Sequence, residues 1–301
     1  MATKTLRSRV TGAIARYLSI WPAIRRVRGG LYTQRIPVEY RVDPQPRYGY
    51  GKPPHAQLQQ LIGQDRQAYR DMLESFLRFE GQLLAIPVGE PDEESSDPFW
   101  NNTWFAGLDL VALYSLLTLR RPRCYFEIGS GHSTRVARRA IADQSLPTRI
   151  LSLDPRPRAA VDALCDEVVR ARLEDCDPAL FERLAPGDML FFDGSHRCFQ
   201  NSDVAVFFLD VLPRLPSGVL VHVHDIWLPN DYPPEWGKRY YSEQYLLGVY
   251  LLARDREKLR IVLPNSFVSE DGELRQVLYP LWNRPQLAGV NRYGVSFWFE
   301  S

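Results

Sequence analysis

Hydrophobic residues fall into a run of helical and strand-like periods along the chain. Val10, Ile14, Tyr17, Leu18, Trp21 and Ile24 recur at helical spacing, and Gly29-Gly30 ends that pattern. Leu31 to Pro54 is rich in Pro, Gly, Tyr and Arg and predicts an irregular linker. Over residues 56–86, Leu58, Leu61, Ile62, Tyr69, Met72, Leu73, Phe76 and Leu77 share one face, which predicts one helix. Pro87 to Pro98 is acidic and turn-like, and Leu110 to Leu119 predicts an apolar helix.

From there strand-like and helix-like stretches alternate. The apolar run Cys124-Tyr125-Phe126 ends on Glu127, Gly129-Ser130-Gly131 follows, and Ser133–Ala142 predicts a helix. Arg149–Leu153 predicts a strand closed by Asp154-Pro155, Pro157–Cys165 a helix, Glu167–Ala171 a short strand, and Asp177–Leu184 a helix capped by Asp177. Met189–Phe192 and Val219–Val223 are almost wholly apolar, as strands buried on both faces are, with a helix over Ser202–Leu212 between them. A helix over Glu243–Ala253 and strands over Leu259–Leu263 and Tyr293–Phe299 complete the pattern. This order predicts an α/β, doubly wound, mostly parallel sheet, with residues 1–98 as a helical extension and linker and 99–301 as the main domain.

Composition narrows the classes. Of 301 residues, 45% are hydrophobic, enough for a sizeable core, and the net charge of +1 gives no general reason to expect a nucleic-acid partner. No apolar run approaches the roughly 18 residues of a transmembrane helix, and the N-terminus lacks a secretory apolar core, so a cytoplasmic protein is expected. Cys124, Cys165, Cys176 and Cys198 have no zinc-like spacing and read as free thiols. Residues 1–28 carry seven basic residues and no acid. Such a helix can lie on an anionic membrane surface; packing on the domain or on a partner, including a second copy in a homo-oligomer, is the favoured alternative.

The chemistry-bearing residues gather where the strands are expected to end. Glu127, Asp154, Asp193 and Asp225 all fall at predicted strand ends, where ligands bind in doubly wound sheets. A dinucleotide fingerprint would place glycine at position 134, but Thr134 stands there, which disfavours a nicotinamide site. No G-x-S-x-G elbow is present, which disfavours a serine hydrolase.

Glu127-x-Gly129-x-Gly131-x-Ser133 resembles motif I of class I S-adenosylmethionine-dependent methyltransferases. Leu151-Ser-Leu-Asp154, Met189-Leu-Phe-Phe-Asp193-Gly-Ser-His196 and Val219-Leu-Val-His-Val-His-Asp225 are similar to the later strands of that fold, in order. The resemblance covers roughly Asn101 to Pro264 and is to bacterial enzymes of the methyltransferase 24 type. It implies a seven-stranded sheet ending in an antiparallel edge hairpin, and S-adenosylmethionine as cofactor. It also implies Glu127 facing the cationic methionine end, Gly129, Ser130 and Gly131 as floor, Asp154 on the ribose, Glu174 near adenine, and Ser133 and Asp193 as further cofactor-binding residues. With that cofactor the reading taken is oxygen methylation of a small-molecule or glycan-type acceptor, and the aromatic stretch Ile226 to Tyr241, poor in regular structure and rich in apolar area, suits a lid or substrate wall.

Two catalytic schemes remain open in the sequence. Asp193 and Asp225 match positions that hold a divalent metal in metal-dependent relatives, although His224 stands where those often carry a second acid. Alternatively Asp193, His196 and His224 serve proton transfer, with His222 a core histidine. A silent cofactor-fold binding protein and a metal-dependent α/β enzyme of another class are the rival readings.

Overall fold

The computed structural model describes residues 36, 39–92, 95–105, 107–157, 160–254 and 260–301. The chain divides after Asp43 into two units. In the first, residues 36 and 39–43 are exposed and irregular. The helix expected over residues 1–28 lies outside the described residues.

The second unit, Pro44–Ser301, opens with three helices: α1 (Ala56–Gly63), α2 (Arg66–Phe76) and α3 (Glu80–Leu84). The single helix expected over 56–86 is therefore interrupted. The Tyr69 hydroxyl donates to the Ile62 carbonyl at 2.9 Å, satisfying an acceptor that the end of α1 leaves open. Leu58, Leu61, Ile62, Tyr69, Leu73 and Phe76 still face the core.

Helix α4 (Leu108–Arg120) leads into β1 (Cys124–Ile128), α5 (His132–Asp143), β2 (Arg149–Leu153), β3 (Glu167–Val169), β4 (Met189–Phe192), α6 (Asp203–Val206) and β5 (Leu220–Val223). Then come α7 (Glu243–Ala253), β6 (Arg260–Pro264), α8 (Asn265–Glu270), α9 (Tyr279–Trp282) and β7 (Phe297–Glu300). The strands form one sheet in the order β3-β2-β1-β4-β5-β7-β6. The first five are parallel, and β7 lies antiparallel between β5 and β6. Phe126, Phe191, Phe192, Phe297, Trp298 and Phe299 are among the fully buried side chains. This is the Rossmann-like methyltransferase sheet that the resemblance implied, with its antiparallel edge.

Several local expectations change. Over 157–165 the described regular element is one 3-10 turn, Asp162–Leu164, and 178–183 is 3-10 rather than α-helical. Asp177 does cap the latter, accepting from Ala179 N at 2.9 Å. The helix over 202–212 starts as α6, capped by Ser202, then widens into a π-helical turn over Phe207–Val211. The last strand begins at Phe297 instead of Tyr293. The amides of Val295 and Ser296 donate to the Asp109 carboxylate, at 2.9 and 2.8 Å, so they have no neighbouring strand as partner. Trp100 is buried in the core, whereas Trp104 is 57% exposed.

The registers set up the site. Ile128 pairs with both Leu153 and Phe192, and Phe192 pairs with Val223. The four parallel strands thus end in one row, and Gly129, Asp154, Asp193 and His224 follow at one level.

Candidate functional site

The loop after β1 is held from below. Glu127 is fully buried. It accepts from the Tyr125 hydroxyl at 3.0 Å and from the Thr134 hydroxyl, and Thr134 Oγ1 accepts from Gly131 N at 3.0 Å. Burial pushes the Glu127 carboxyl up to about 7, against the pull of Ser133, Thr134 and Tyr125. Sequence reading set Glu127 against the cationic end of a ligand. Its side chain lies beneath the loop and braces the first turn of α5, so it does not open onto the crevice.

Above it the loop is open. Gly131 has an extended backbone, and a side chain there would meet nothing within 4 Å. Gly129, at φ +85°, is the opposite case, because a Cβ would stand 1.9 Å from the Asp193 carbonyl oxygen. Ser130 and Ser133 are buried, and the Ser130 hydroxyl meets that of Ser152 at 2.6 Å. Asp154 accepts from Ser130 N at 2.9 Å and from Arg156 N at 2.6 Å, which fixes its carboxylate beside the glycine turn. Glu174 lies beyond β3, 3.6 Å from Arg172. The space over Gly131 is open, and the anchored Asp154 carboxylate stands beside the same turn.

The cluster at the ends of β4 and β5 is more tightly built than expected. Two aspartates and two histidines alternate. Asp193 Oδ1 lies 3.3 Å from His196 Nε2 and 3.7 Å from His224 Nδ1. Asp225 lies 3.5 Å from each of the same two nitrogens. Strand alternation alone would send Asp225 to the face opposite His224. Instead Asp225 adopts φ +55°, and the turn brings its carboxylate back. His196 also sits in the left-handed region, at φ +63°.

Two residues that sequence reading missed close the ends of this array. Glu243, fully buried in the first turn of α7, hydrogen-bonds His196 Nδ1 through Oε1. Asp109, buried in the first turn of α4, lies 3.5 Å from His224 Nε2 and also accepts from Asn265 Nδ2 at 2.7 Å. Their one signal in the sequence is an acid at the head of an otherwise apolar helix, which the helix dipole explains equally well.

Burial works against protonation of His196 and His224. The carboxylates around them outweigh it and raise both imidazoles well above their ordinary range. Burial likewise raises Asp225, against the pull of His224 and His196. His222 behaves as a core residue, stacked 3.8 Å from Phe191 and 2.8 Å from Ser296 Oγ, with burial holding it neutral.

These pairings bear on a metal. The lone pairs of Asp193 and Asp225 converge on two imidazole rings that the surrounding acids favour as cations. Among the described residues no group of three or more His, Cys, Asp or Glu could hold a metal ion. As placed, Asp193 and Asp225 each face the same two imidazoles.

The segment after Asp225 is rich in aromatic contacts that reach His196. Trp227 meets Trp236 at 5.6 Å, Trp236 meets Tyr241 at 5.5 Å, and the Tyr241 ring lies 4.5 Å from His196. Among the described residues no helix is long and apolar enough to cross a membrane.

A family model described as a methyltransferase domain matches residues 126–226. No curated protein sequence matches the chain. Among solved structures, the chain is similar to SAH-bound PaMTH1, a methyltransferase of Podospora anserina, at 17% identity and TM-score 0.36, over 51% of this chain and 71% of that one. It is similar to the plantazolicin methyltransferase BpumL in complex with SAH at 12% identity and TM-score 0.41, over 81% and 99%. It is similar to an O-methyltransferase from Bacillus cereus in complex with SAH at 14% identity and TM-score 0.33, over 76% and 90%. Similarity this low transfers neither acceptor nor residue roles. The matched segment runs from within β1 through β5 and takes in the ends of β1, β2, β4 and β5. Residues 126–226 match a methyltransferase domain, and they lie on a seven-stranded sheet of the order β3-β2-β1-β4-β5-β7-β6.

Proposed function

We propose that the enzyme methylates an oxygen of a small-molecule or glycan-type acceptor seated between the Asp193–His196–Asp225 cluster and the aromatic wall. The observation that carries this reading is the placement of His196 Nε2, 3.3 Å from Asp193 and 3.5 Å from Asp225, with the Tyr241 ring against the imidazole. S-adenosylmethionine supplies an electrophilic methyl on a sulfonium. The protein must hold the acceptor oxygen in line with it and take the acceptor's proton.

Asp193 is the most open member of the cluster, its side chain 31% exposed against 14% for Asp225 and 9% for His196. It is the acid within reach of a cationic ligand over Gly131. When Asp193 turns to such a ligand, His196 loses one of the carboxylates that hold its proton. Its affinity for that proton falls, Nε2 gives the proton up to solvent, and the neutral imidazole can then act as base. Asp225 remains beside Nε2 and stabilises the imidazolium formed when the acceptor's proton arrives. His224 balances the charge of both aspartates from the other side. Gly129, Ser130, Gly131, Ser133 and Asp154 form the cofactor floor, with Glu174 beyond β3 towards adenine. Trp236 and Tyr241 offer flat apolar area to a ring.

The test is an acceptor screen that reads SAH formation, followed by Asp193→Asn and His196→Gln in the best case found. Turnover per folded molecule should drop by roughly 10²–10⁴-fold in His196→Gln, with SAH binding retained, the usual scale for lost general-base catalysis. Wild-type turnover in both variants would refute the assignment.

A further inference from the structure

We propose that Glu243 is the positioning residue of His196: it turns Nδ1 towards α7, presents Nε2 to the crevice, and ties that orientation to the seating of the 226–241 segment. This rests on the methyltransferase reading and names a residue that the cofactor motifs do not reach.

Glu243 is an unusual residue to find fully buried. A carboxylate withdrawn from water costs free energy unless its partners compensate. An acid at a helix N-terminus gains its dipole interaction just as well when exposed. Here the side chain points inward. Oε1 bonds His196 Nδ1, and Oε2 has no hydrogen-bond partner among the described residues. The polar contact of this buried group is therefore spent on one imidazole. In an imidazole, the bond made at one ring nitrogen sets the proton and direction of the other.

The main chain repeats the grip. The amides of Ser242 and Glu243 both point at the His196 carbonyl, at 2.8 and 3.4 Å. Such contacts support the left-handed backbone of His196, which a non-glycine residue adopts at a cost. The other end of the aromatic segment starts at Asp225, 3.5 Å from His196 Nε2. The two residues that contact the ring nitrogens, Asp225 and Glu243, thus flank the segment on either side.

The test is imidazole ¹⁵N NMR of the full chain, with the His196 signals assigned by His196→Gln, in wild type, Glu243→Gln and Glu243→Asp. Wild type should show one His196 species with a hydrogen-bonded Nδ1 proton. Glu243→Gln keeps the volume but removes the charge. It should shift the His196 signals, leave those of His222 in place and leave SAH affinity unchanged. Glu243→Asp should fall between the two. In turnover, kcat should drop while KM for S-adenosylmethionine holds. Unchanged His196 signals in Glu243→Gln, even with a lowered melting temperature, would overturn the proposal, because the carboxylate would then be a packing group only. Failure of the wild type to bind SAH would sink the methyltransferase reading, and the NMR comparison would still decide the role of Glu243.

Discussion

The carbonyl oxygen of Asp193 occupies the space that a side chain on Gly129 would need, 1.9 Å from an ideal Cβ. The glycine turn after β1 and the loop after β4 are therefore in backbone contact, and residue 129 has no room to change. Gly131, two positions on, faces open space. The two glycines should separate experimentally. Gly129→Ala must both force the β1 and β4 ends apart and strain a positive φ, so it should destabilise the fold by at least about 1–3 kcal/mol. Gly131→Val should melt like wild type yet lose SAH affinity by an order of magnitude or more. Thermal melts and titrations on both variants check this. Equal stability of the two would contradict the packing described.

Asp154 should matter to ligand and loop together. Its carboxylate holds Ser130 N and Arg156 N, and a ribose diol would add to those bonds. Asp154→Ala should weaken SAH binding by roughly 1.5–3 kcal/mol, the scale of hydrogen bonds to a charged group. Titration calorimetry measures it, and unchanged affinity would remove Asp154 from the site.

Glu127 makes a pH prediction. Its carboxyl is raised by burial from 4.5 to about 7 in the folded chain. The folded state therefore favours the protonated form. Its contribution is fully present below pH 4.5 and is lost as pH rises through about 7. The loss is on the order of 3 kcal/mol. Relative to Glu127→Gln, wild type should lose stability across that window. Denaturant unfolding of both proteins at a series of pH values reads the difference, and a flat difference would mean that Glu127 titrates normally beneath the loop.

Divalent ions should do little. With Asp193 and Asp225 each placed against two imidazoles, added Mg²⁺ or Mn²⁺ should leave the melting temperature unchanged. A resident site would raise it with concentration, by RT ln(1 + [L]/Kd) in free energy. Such a rise, abolished in Asp225→Asn, would restore the metal-assisted scheme.

The parts of this protein that were legible in the sequence are those fixed by short-range pattern. Met189–Phe192 could hardly be anything but a doubly covered strand, and the strand-end acids follow once the strands are placed. What escaped reading depends on contacts distant in sequence. His196 and Glu243 are 47 residues apart, and nothing local marks them as a pair. Asp109 heads an apolar helix with no local mark of its role, yet it takes the amides of Val295 and Ser296 from the far end of the chain. The return of Asp225 towards His224 rests on a positive φ at a non-glycine residue, which no periodicity announces. At the break after Gly63 a tyrosine hydroxyl takes up the Ile62 carbonyl, which no periodicity foretells.

The central claim is that the crevice over Gly131, between Asp154 and Asp193, binds S-adenosylmethionine. Isothermal titration of the full chain with S-adenosylmethionine and S-adenosylhomocysteine tests it most directly. One saturable site per chain for each ligand, weakened in Gly131→Val with the fold intact, is the predicted result. Absence of binding by a correctly folded wild-type protein, or binding that Gly131→Val leaves untouched, would contradict it.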